Sequence, residues 1–164
     1  MNGPALRWDR VDPNLVAIMR ELVNGVAPWP LLLYGSPGTG KTAAGKLLNA
    51  VVYKSVMALA SDYEAVAFDL ESQTWSDIKK SELVVVDEIG ARTRQANEYS
   101  FQAMKTILDW REDYKNRTGV YISNLEPTAL SKVYDDRIVS RLMAGTVYEI
   151  KGVDMRIKGN RVTN

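Results

Sequence analysis

The sequence has 164 residues, of which 46% are hydrophobic and 25% are charged, and its formal net charge is +1. These values are typical of one folded domain and exclude an intrinsically disordered chain. There is no cysteine and no histidine, which excludes disulfides, thiolate or imidazole metal sites, Cys nucleophiles and Ser-His-Asp triads. Any proton transfer must therefore use carboxylates, lysine, tyrosine or water.

The charge is unevenly distributed along the chain. Residues 62–90 carry eight acidic and two basic side chains, whereas residues 137–164 carry six basic and two acidic ones. This basic C-terminal segment fits either an anion-binding face or an ordinary solvated surface. No apolar run approaches the roughly 20 residues that span a bilayer, and residues 1–10 lack the apolar segment of a signal peptide. We therefore expect a cytoplasmic protein without a membrane partner.

Strands and helices alternate along the sequence. Asp12 and Pro13 favour a helix start, because Asp caps the first turn and Pro fits inside it. Apolar residues then recur at helical spacing until Gly25, which favours a stop. In chain order the patterns predict this first helix, a strand over 31–34, a helix over 43–51, a strand over 55–60, a helix over 61–70, a strand over 83–86, a helix over 97–114, a strand over 120–123, a helix over 135–143 and a strand over 146–150.

The strand over 83–86 is continuously apolar, as expected of a strand that is covered on both faces of a parallel sheet. Together with the alternation of strands and helices, this predicts an α/β fold, a three-layer sandwich around a mostly parallel five-stranded sheet. The sequence has no internal repeat, low-complexity tract or linker. It therefore predicts one domain.

Residues 35–42 carry a phosphate-binding signature. They match G-x-x-x-x-G-K-[ST] without a mismatch, between a predicted strand and a predicted helix. The glycines let the backbone wrap closely, so that N–H groups and the helix N-terminus point at the phosphates. Lys41 is expected to reach the β- and γ-phosphates of a nucleoside triphosphate, most simply ATP, and the Thr42 hydroxyl to ligate Mg²⁺. The predicted nucleotide-binding residues are Gly35, Ser36, Pro37, Gly38, Thr39, Gly40, Lys41, Thr42 and Ala43.

A carboxylate pair, Asp87 and Glu88, follows the strand over 83–86. The carboxyl edge of a parallel sheet is where the phosphates lie, so Asp87 is expected to hold Mg²⁺, directly or through water. Glu88 is expected to orient the attacking water and accept its proton. Asn124 ends the strand over 120–123, and its amide can bond both this water and the γ-phosphate. By itself, an Asn at a strand end is usually a turn former.

With these motifs the sequence resembles the AAA+ ATPases, and within them the group that contains the DnaC-type replicative helicase loaders and the IstB-type transposition ATPases. The resemblance covers roughly residues 10–157 and rests on LLLYGSPGTGKT, VVVDEIG, YISNL and DDRIVSRL, in that order. It implies a P-loop NTPase fold with ATP and Mg²⁺ as cofactors. The sequence departs from the helicase loaders in having only about 30 residues before the 35–42 loop and no room for a helical lid after residue 156. We therefore expect residues 1–164 to form a single AAA+ core, with neither a separate N-terminal partner-binding module nor a full helical lid.

The resemblance also implies roles for four further side chains. Asn124 matches the family's sensor 1, Arg141 matches its arginine finger with Arg137 as a second candidate, and Arg156 matches sensor 2. An arginine finger acts on the nucleotide of a neighbouring subunit, so the family implies a homo-oligomer with ATP at its interfaces. Arg137 and Arg141 also lie four residues apart beside two aspartates, and surface ion pairing is the alternative interpretation.

Three functions remain open at this point. The first is an ATPase that assembles on single-stranded DNA and loads a replicative helicase, with Lys79, Lys80, Arg92 and Arg94 as candidate backbone contacts and Trp75 as a candidate stacking platform or a core residue. The second is a transposase helper that prefers duplex DNA. The third is a small P-loop kinase or nucleotide switch, and the carboxylate pair and the two arginines argue against it.

Overall fold

The computed structural model describes residues 11–91 and 97–151. Its strands are β1 (Leu31–Gly35), β2 (Ser55–Leu59), β3 (Leu83–Asp87), β4 (Gly119–Ser123) and β5 (Thr146–Ile150). Its helices are α1 (Pro13–Val23), α2 (Lys41–Val51), α3 (Ala60–Glu64), α4 (Gln73–Lys80), α5 (Glu98–Lys115), α6 (Pro127–Val133) and α7 (Asp136–Leu142). The strands form one sheet in the order β2-β3-β4-β1-β5, and every neighbouring pair is parallel.

Helices cover both faces of this sheet. Successive side chains of a strand point to opposite faces, and β1 shows this clearly. Leu31 and Leu33 belong to a hydrophobic cluster with α1 and α2 on one face. Leu32 belongs to a second cluster, with α3 to α7, on the other face. The predicted α/β three-layer architecture with five strands is confirmed, and the sheet is wholly rather than mostly parallel.

The sequence patterns did not predict the two short helices α4 and α6. They also predicted a longer helix than the structure has at α3. The helix expected over 61–70 ends at Glu64 in α3, and turns follow it. Helix α4 begins after Ser72, whose hydroxyl accepts the Thr74 N–H at 3.4 Å, and α6 begins at Pro127. These helices have eight and seven residues. Two turns are too short for apolar periodicity to separate a helix from a loop.

Helix α2 lies unusually close to the sheet because of Gly45. A Cβ atom added there would lie 2.8 Å from Cδ1 of Ile122 and 3.1 Å from Cγ1 of Val85. The bare glycine therefore lets the helix backbone approach β3 and β4. Since α2 follows the 35–42 loop directly, this contact also brings the loop over the carboxyl ends of those strands.

Helix α5 runs along the sheet from its carboxyl edge to its amino edge, 18 residues or about 27 Å of helix. Arg111 fixes its far end, because its buried guanidinium donates to four backbone carbonyls, those of Ile78, Ser81, Glu82 and Thr118, at 2.7–3.0 Å. Burial lowers the pKa of Arg111. Within residues 11–91 and 97–151, no helix is long and apolar enough to cross a membrane.

Candidate functional site

A cleft of about 270 Å³ opens at the carboxyl edge of the sheet, where β1, β3 and β4 end side by side. The 35–42 loop and the start of α2 form one wall, and the ends of β3 and β4 form the other. The structure therefore brings together the loop, both carboxylates and the asparagine that the sequence singled out. The lining residues are Pro37, Gly38, Gly40, Lys41, Thr42, Ala43, Asp87, Glu88, Ile122, Ser123 and Asn124.

The loop before α2 is wrapped tightly around the Lys41 side chain. Gly38 and Gly40 have φ values of 80° and 92°, a left-handed conformation that favours glycine. The Lys41 ammonium is buried and donates to the Ser36 carbonyl at 2.6 Å and to the Thr39 hydroxyl at 3.2 Å. Burial lowers the pKa of Lys41, and the nearby Asp87 opposes that shift. A phosphate group in the cleft would supply the anion that this desolvated cation lacks.

Thr42 and Asp87 place two oxygen donors next to each other. The Thr42 hydroxyl donates to Oδ2 of Asp87 at 2.9 Å, and Oδ1 of Asp87 accepts the Glu88 N–H at 2.8 Å. Hydroxyl and carboxylate oxygens suit Mg²⁺, which keeps water and phosphate oxygens as its remaining ligands. Within the described ranges no group of three or more acidic side chains could hold a metal alone. The residues therefore fit a Mg²⁺ ion that phosphate oxygens help to bind.

Glu88 and Asn124 lie at the cleft on adjacent strand ends and are both exposed. Glu88 has a φ of 55°, a left-handed conformation that is uncommon outside glycine and asparagine. Backbone in such sparsely populated regions persists where its surroundings over-determine it, often at functional sites. The turn after β3 thus holds the Glu88 carboxylate at the mouth of the cleft.

Ser123 ties these two strand ends together, a role that the sequence analysis missed. Its buried hydroxyl donates to the Ile89 carbonyl at 2.8 Å and accepts the Leu125 N–H at 3.0 Å. The Ile89 N–H in turn donates to the Ile122 carbonyl at 2.9 Å. Residues 88 and 124 are therefore held by one hydrogen-bonded unit. The position of Ser123 directly before Asn124 at the end of a strand was the available signal.

Tyr134 adds a second tie, for which the sequence offered no signal. Its buried hydroxyl accepts the Gly90 N–H at 2.9 Å, and burial raises the pKa of Tyr134. Gly90 has a φ of 76°, so the turn that follows Glu88 depends on this glycine. The hydrogen bond links the Glu88 turn to the segment that leads into α7.

The two predicted arginines of α7 lie outside this cleft. Arg141 lines a small cavity with Pro30, Arg117 and Tyr121, at the amino end of β1 and β4, and 27% of its side chain is exposed. The Arg137 side chain is 90% exposed and has one loose ion pair, at 3.6 Å, with Asp135. Neither residue is part of the cleft in its own protomer. Arg156, Arg92 and Arg94 lie outside the described residues.

Trp75, a candidate for base stacking, is a core residue. It is 1% exposed, its indole N–H donates to the Val66 carbonyl at 2.8 Å, and its ring contacts the Trp110 ring. Of the neighbouring lysines, Lys79 lies over Trp110, with its ammonium 4.3 Å from the ring centroid, and Lys80 is exposed. A stacking role for Trp75 is therefore excluded.

Comparisons with known proteins agree with this geometry. The family described as "ATPase family associated with various cellular activities (AAA)" matches residues 31–146. The replicative helicase loader DnaC of Escherichia coli (strain K12) is 26% identical over 122 residues, which are 68% of this chain and 49% of that protein. This chain thus spans about half the length of the curated relatives that it matches.

Two solved structures of replication proteins share the fold. A crystal structure of the DnaC helicase loader has a TM-score of 0.68 at 14% identity, covering 92% of this chain and 94% of that one. The replication initiator DnaA bound to AMPPCP and single-stranded DNA has a TM-score of 0.66 at 25% identity, covering 85% and 46%. The match to the loader extends over nearly the whole of both chains.

Proposed function

The chain belongs to the AAA family of ATPases, and from that premise we propose that it binds ATP with Mg²⁺, hydrolyses the nucleotide, and acts on single-stranded DNA as a helicase-loader-like ATPase. The observation that carries the proposal is the meeting of the Thr42 hydroxyl and the Asp87 carboxylate, 2.9 Å apart, beside the buried Lys41. These groups converge from the start of α2 and the end of β3 on the cleft that Glu88 and Asn124 also line.

Phosphate binding follows from the loop and the start of α2. Backbone N–H groups at a helix N-terminus have no partner within the helix and attract anions. Lys41, now bonded to the Ser36 carbonyl, exchanges that contact for the β- and γ-phosphates. A Lys ammonium that is already buried loses little further hydration when the phosphates arrive, so much of its desolvation cost is met during folding.

Mg²⁺ would be held by Thr42, by Asp87 and by oxygens of the nucleotide. When bound, the ion supplies positive charge against the phosphate oxygens. Asp87 is buried and its Oδ1 is already occupied by the Glu88 N–H. Its Oδ2 accepts the Thr42 hydroxyl, and a metal held by both residues would take the place of this contact.

Glu88 is the residue that we assign to the attacking water. Its exposed carboxylate can accept the proton that water loses as it attacks the γ-phosphorus. Asn124, on the adjacent strand end, can donate its amide to the γ-phosphate and accept from the same water. The Ser123 bridge keeps the two side chains on one unit, which suits a reaction whose catalysis is mainly positioning.

In this proposal a second protomer completes the site with an arginine of α7. Phosphoryl transfer benefits from a guanidinium at the γ-phosphate, and neither Arg137 nor Arg141 lies in the cleft of its own chain. We assign this role to Arg141, with Arg137 as the second candidate, in a homo-oligomer with ATP between protomers. The DnaA structure bound to AMPPCP and single-stranded DNA supports DNA as the partner, and the relationship to the loader DnaC supports a replicative helicase as the protein partner. A transposase is the alternative protein partner.

A nucleotide hydrolysis assay with three DNA conditions tests the function. We expect Mg²⁺-dependent release of phosphate from ATP that rises on adding single-stranded DNA, with the Lys41→Ala variant as the background control. Stimulation by duplex DNA alone would favour a transposase helper instead. Transfer of the γ-phosphate to a small acceptor without release would favour a kinase, and absence of both binding and hydrolysis would overturn the proposal.

A further inference from the structure

Two carboxylates of α5 hold the Arg141 guanidinium. Its Nε donates to Oε1 of Glu112 at 3.2 Å, and its Nη2 lies 2.8 Å from Oδ1 of Asp109. The second oxygen of Asp109 lies 2.8 Å from the ammonium of Lys105. The network therefore contains two cations and two anions and is neutral overall. It joins α7 to α5, and its residues Arg141 and Glu112 are 29 positions apart in the sequence.

Only one edge of the guanidinium is used in this network. The group has five N–H donors in a rigid plane and can bind two acceptors on different edges. Nε and Nη2 face the carboxylates, while Nη1 of Arg141 has no acceptor in the part of the chain that the structure describes. The side chain remains 27% exposed. An anion arriving from outside can therefore be bound by the remaining donors without breaking either ion pair.

The two carboxylates stand on a fixed element. Helix α5 is anchored by the buried Arg111 with its four carbonyl acceptors, and Leu108 is buried in the same turn of the helix. Asp109 and Glu112 are the neighbours of these two core residues in the sequence, so their backbone positions are set by the core. Arg137, by contrast, is 90% exposed, and its ion pair within residues 11–91 and 97–151 is a looser one with Asp135, at 3.6 Å. A free arginine loses rotamer entropy on binding, and the ion pairs of Arg141 have already restricted its rotamers.

We infer that Asp109 and Glu112 are positioning residues for Arg141, which fix one edge of its guanidinium so that the other edge meets the γ-phosphate held by a neighbouring protomer. This inference rests on the proposed function, because it takes Arg141 as the residue that completes the site in trans. Preorganised donors are worth more than flexible ones because they need no reordering during the reaction.

Single substitutions of the carboxylates test the inference, with hydrolysis measured over a range of ATP concentrations at a protein concentration that saturates assembly. We expect Glu112→Ala and Asp109→Ala to lower kcat about tenfold while KM for ATP stays within twofold, and Glu112→Asp to recover part of the loss. Glu82→Gln is the matched control, because it breaks another ion pair of α5, with Lys115 at 3.0 Å, in which Arg141 takes no part. It should leave kcat unchanged.

Mixed oligomers locate the effect in the donating protomer. Glu88→Gln protomers cannot hydrolyse ATP but carry an intact Arg141 with its two carboxylates. Mixed with Glu112→Ala protomers, whose own clefts are intact, they should restore hydrolysis. Protomers that carry both Glu88→Gln and Glu112→Ala, mixed with the same Glu112→Ala protomers, should restore about tenfold less hydrolysis. Nucleotide affinity should be equal in the two mixtures.

The failure of the inference differs from the failure of the proposed function. Full activity of Arg141→Ala would overturn the trans role and the inference with it. An inactive Arg141→Ala beside wild-type kcat in both carboxylate variants would overturn the inference alone. A fall in Tm with loss of nucleotide affinity, in place of a selective fall in kcat, would show that the network only stabilises the packing of α7 on α5.

Discussion

At the scale of single residues, the side chains that we assign to phosphate and metal already have partners within the chain. Lys41 is held by the Ser36 carbonyl and the Thr39 hydroxyl, and Thr42 is held by Asp87. These contacts keep each group near the place where its ligand would bind. In the function that we propose, nucleotide binding would therefore exchange hydrogen bonds, with phosphate oxygens replacing the Ser36 carbonyl at Lys41.

Replacing Lys41 tests the phosphate site. Lys41→Ala deletes the charge at the β- and γ-phosphates, and we expect ATP affinity to fall at least 100-fold, since a lost charge-assisted contact in a buried site is worth about 3 kcal/mol. A binding titration measures this. The control is Lys46→Ala on the same helix, because Lys46 is exposed and should leave affinity unchanged. If the Lys41→Ala variant bound ATP with wild-type affinity, the assignment of the 35–42 loop as the phosphate site would be wrong.

Replacing Glu88 separates binding from turnover. Glu88→Gln keeps the shape of the side chain but cannot accept a proton, so we expect ATP affinity within a few-fold of wild type and a fall of kcat by about 10²–10⁴. Single-turnover hydrolysis and a binding titration measure the two effects. Turnover within a few-fold of wild type would mean that another group activates the water.

At the scale of elements, the approach of α2 to the sheet positions the phosphate loop. Gly45 leaves no room for a Cβ between Ile122, Val85 and Met57, with all three distances at or below 3.3 Å. The tie made by Ser123 between β3 and β4 positions the opposite wall. The geometry of the cleft thus depends on the Gly45 contact and on the Ser123 tie.

Gly45→Ala tests the helix contact. Alanine favours the helix by about 1 kcal/mol, but overpacking a core costs about 1–3 kcal/mol, and we expect a net loss in the free energy of unfolding. Denaturant titration measures it. Ile122→Val removes the Cδ1 atom that the new methyl group meets, so the double variant should lose less than the sum of the two single losses. Additive losses would show that Ile122 is not the obstacle.

At the scale of the whole molecule, the parallel sheet decides where chemistry can occur. Parallel strands end at the same edge, and the order β2-β3-β4-β1-β5 sets β1, β4 and β3 side by side. The loop after β1, the carboxylates after β3 and the asparagine after β4 therefore meet. The cavity beside Arg141 lies at the other ends of β1 and β4, so the role that we propose for this arginine requires a second copy of the chain.

Assembly gives a test at this scale. If protomers complete one another's sites, ATP hydrolysis per protomer should rise with protein concentration and then level off as the oligomer forms. Native mass measurement with a slowly hydrolysed ATP analogue should show the same threshold. Arg141→Ala should bind ATP normally and stay inactive at every concentration. Constant hydrolysis per protomer from a protein shown to be monomeric would exclude the interface site.

The pH dependence of stability should be simple, because the chain has no histidine. Burial alone would raise the pKa of Asp109, but hydrogen bonds from Lys105 and Arg141 lower it on balance. A carboxyl with a lowered pKa stabilises the fold above its unfolded pKa, about 3.9 for Asp, and loses this effect as the pH falls through the folded pKa. We expect Tm to be flat from about pH 5.5 to 8 and to drop below about pH 4. A large change near pH 6.5 would contradict this.

Much of the candidate site was readable from the sequence because it is made of short contiguous signals. Residues 35–42, 87–88 and 124 each follow an apolar strand segment, and parallel strands must end at a common edge. Spacing and side-chain chemistry alone therefore predicted which groups would converge. The same local patterns predicted the α/β layers and all five strands.

Only the tertiary structure decided the contacts between residues that are far apart in the chain. The Tyr134 hydroxyl on the Gly90 N–H, the burial of Trp75 and the carboxylates around Arg141 all depend on which helix packs beside which. No local pattern encodes such pairings, since they follow from strand order and from the packing of whole elements. The sequence by itself thus determined which chemical groups line the cleft, because the residues of each motif are adjacent in the chain. Tertiary packing determined which contacts hold these groups and on which face Arg141 lies, because the residues involved are far apart in the chain.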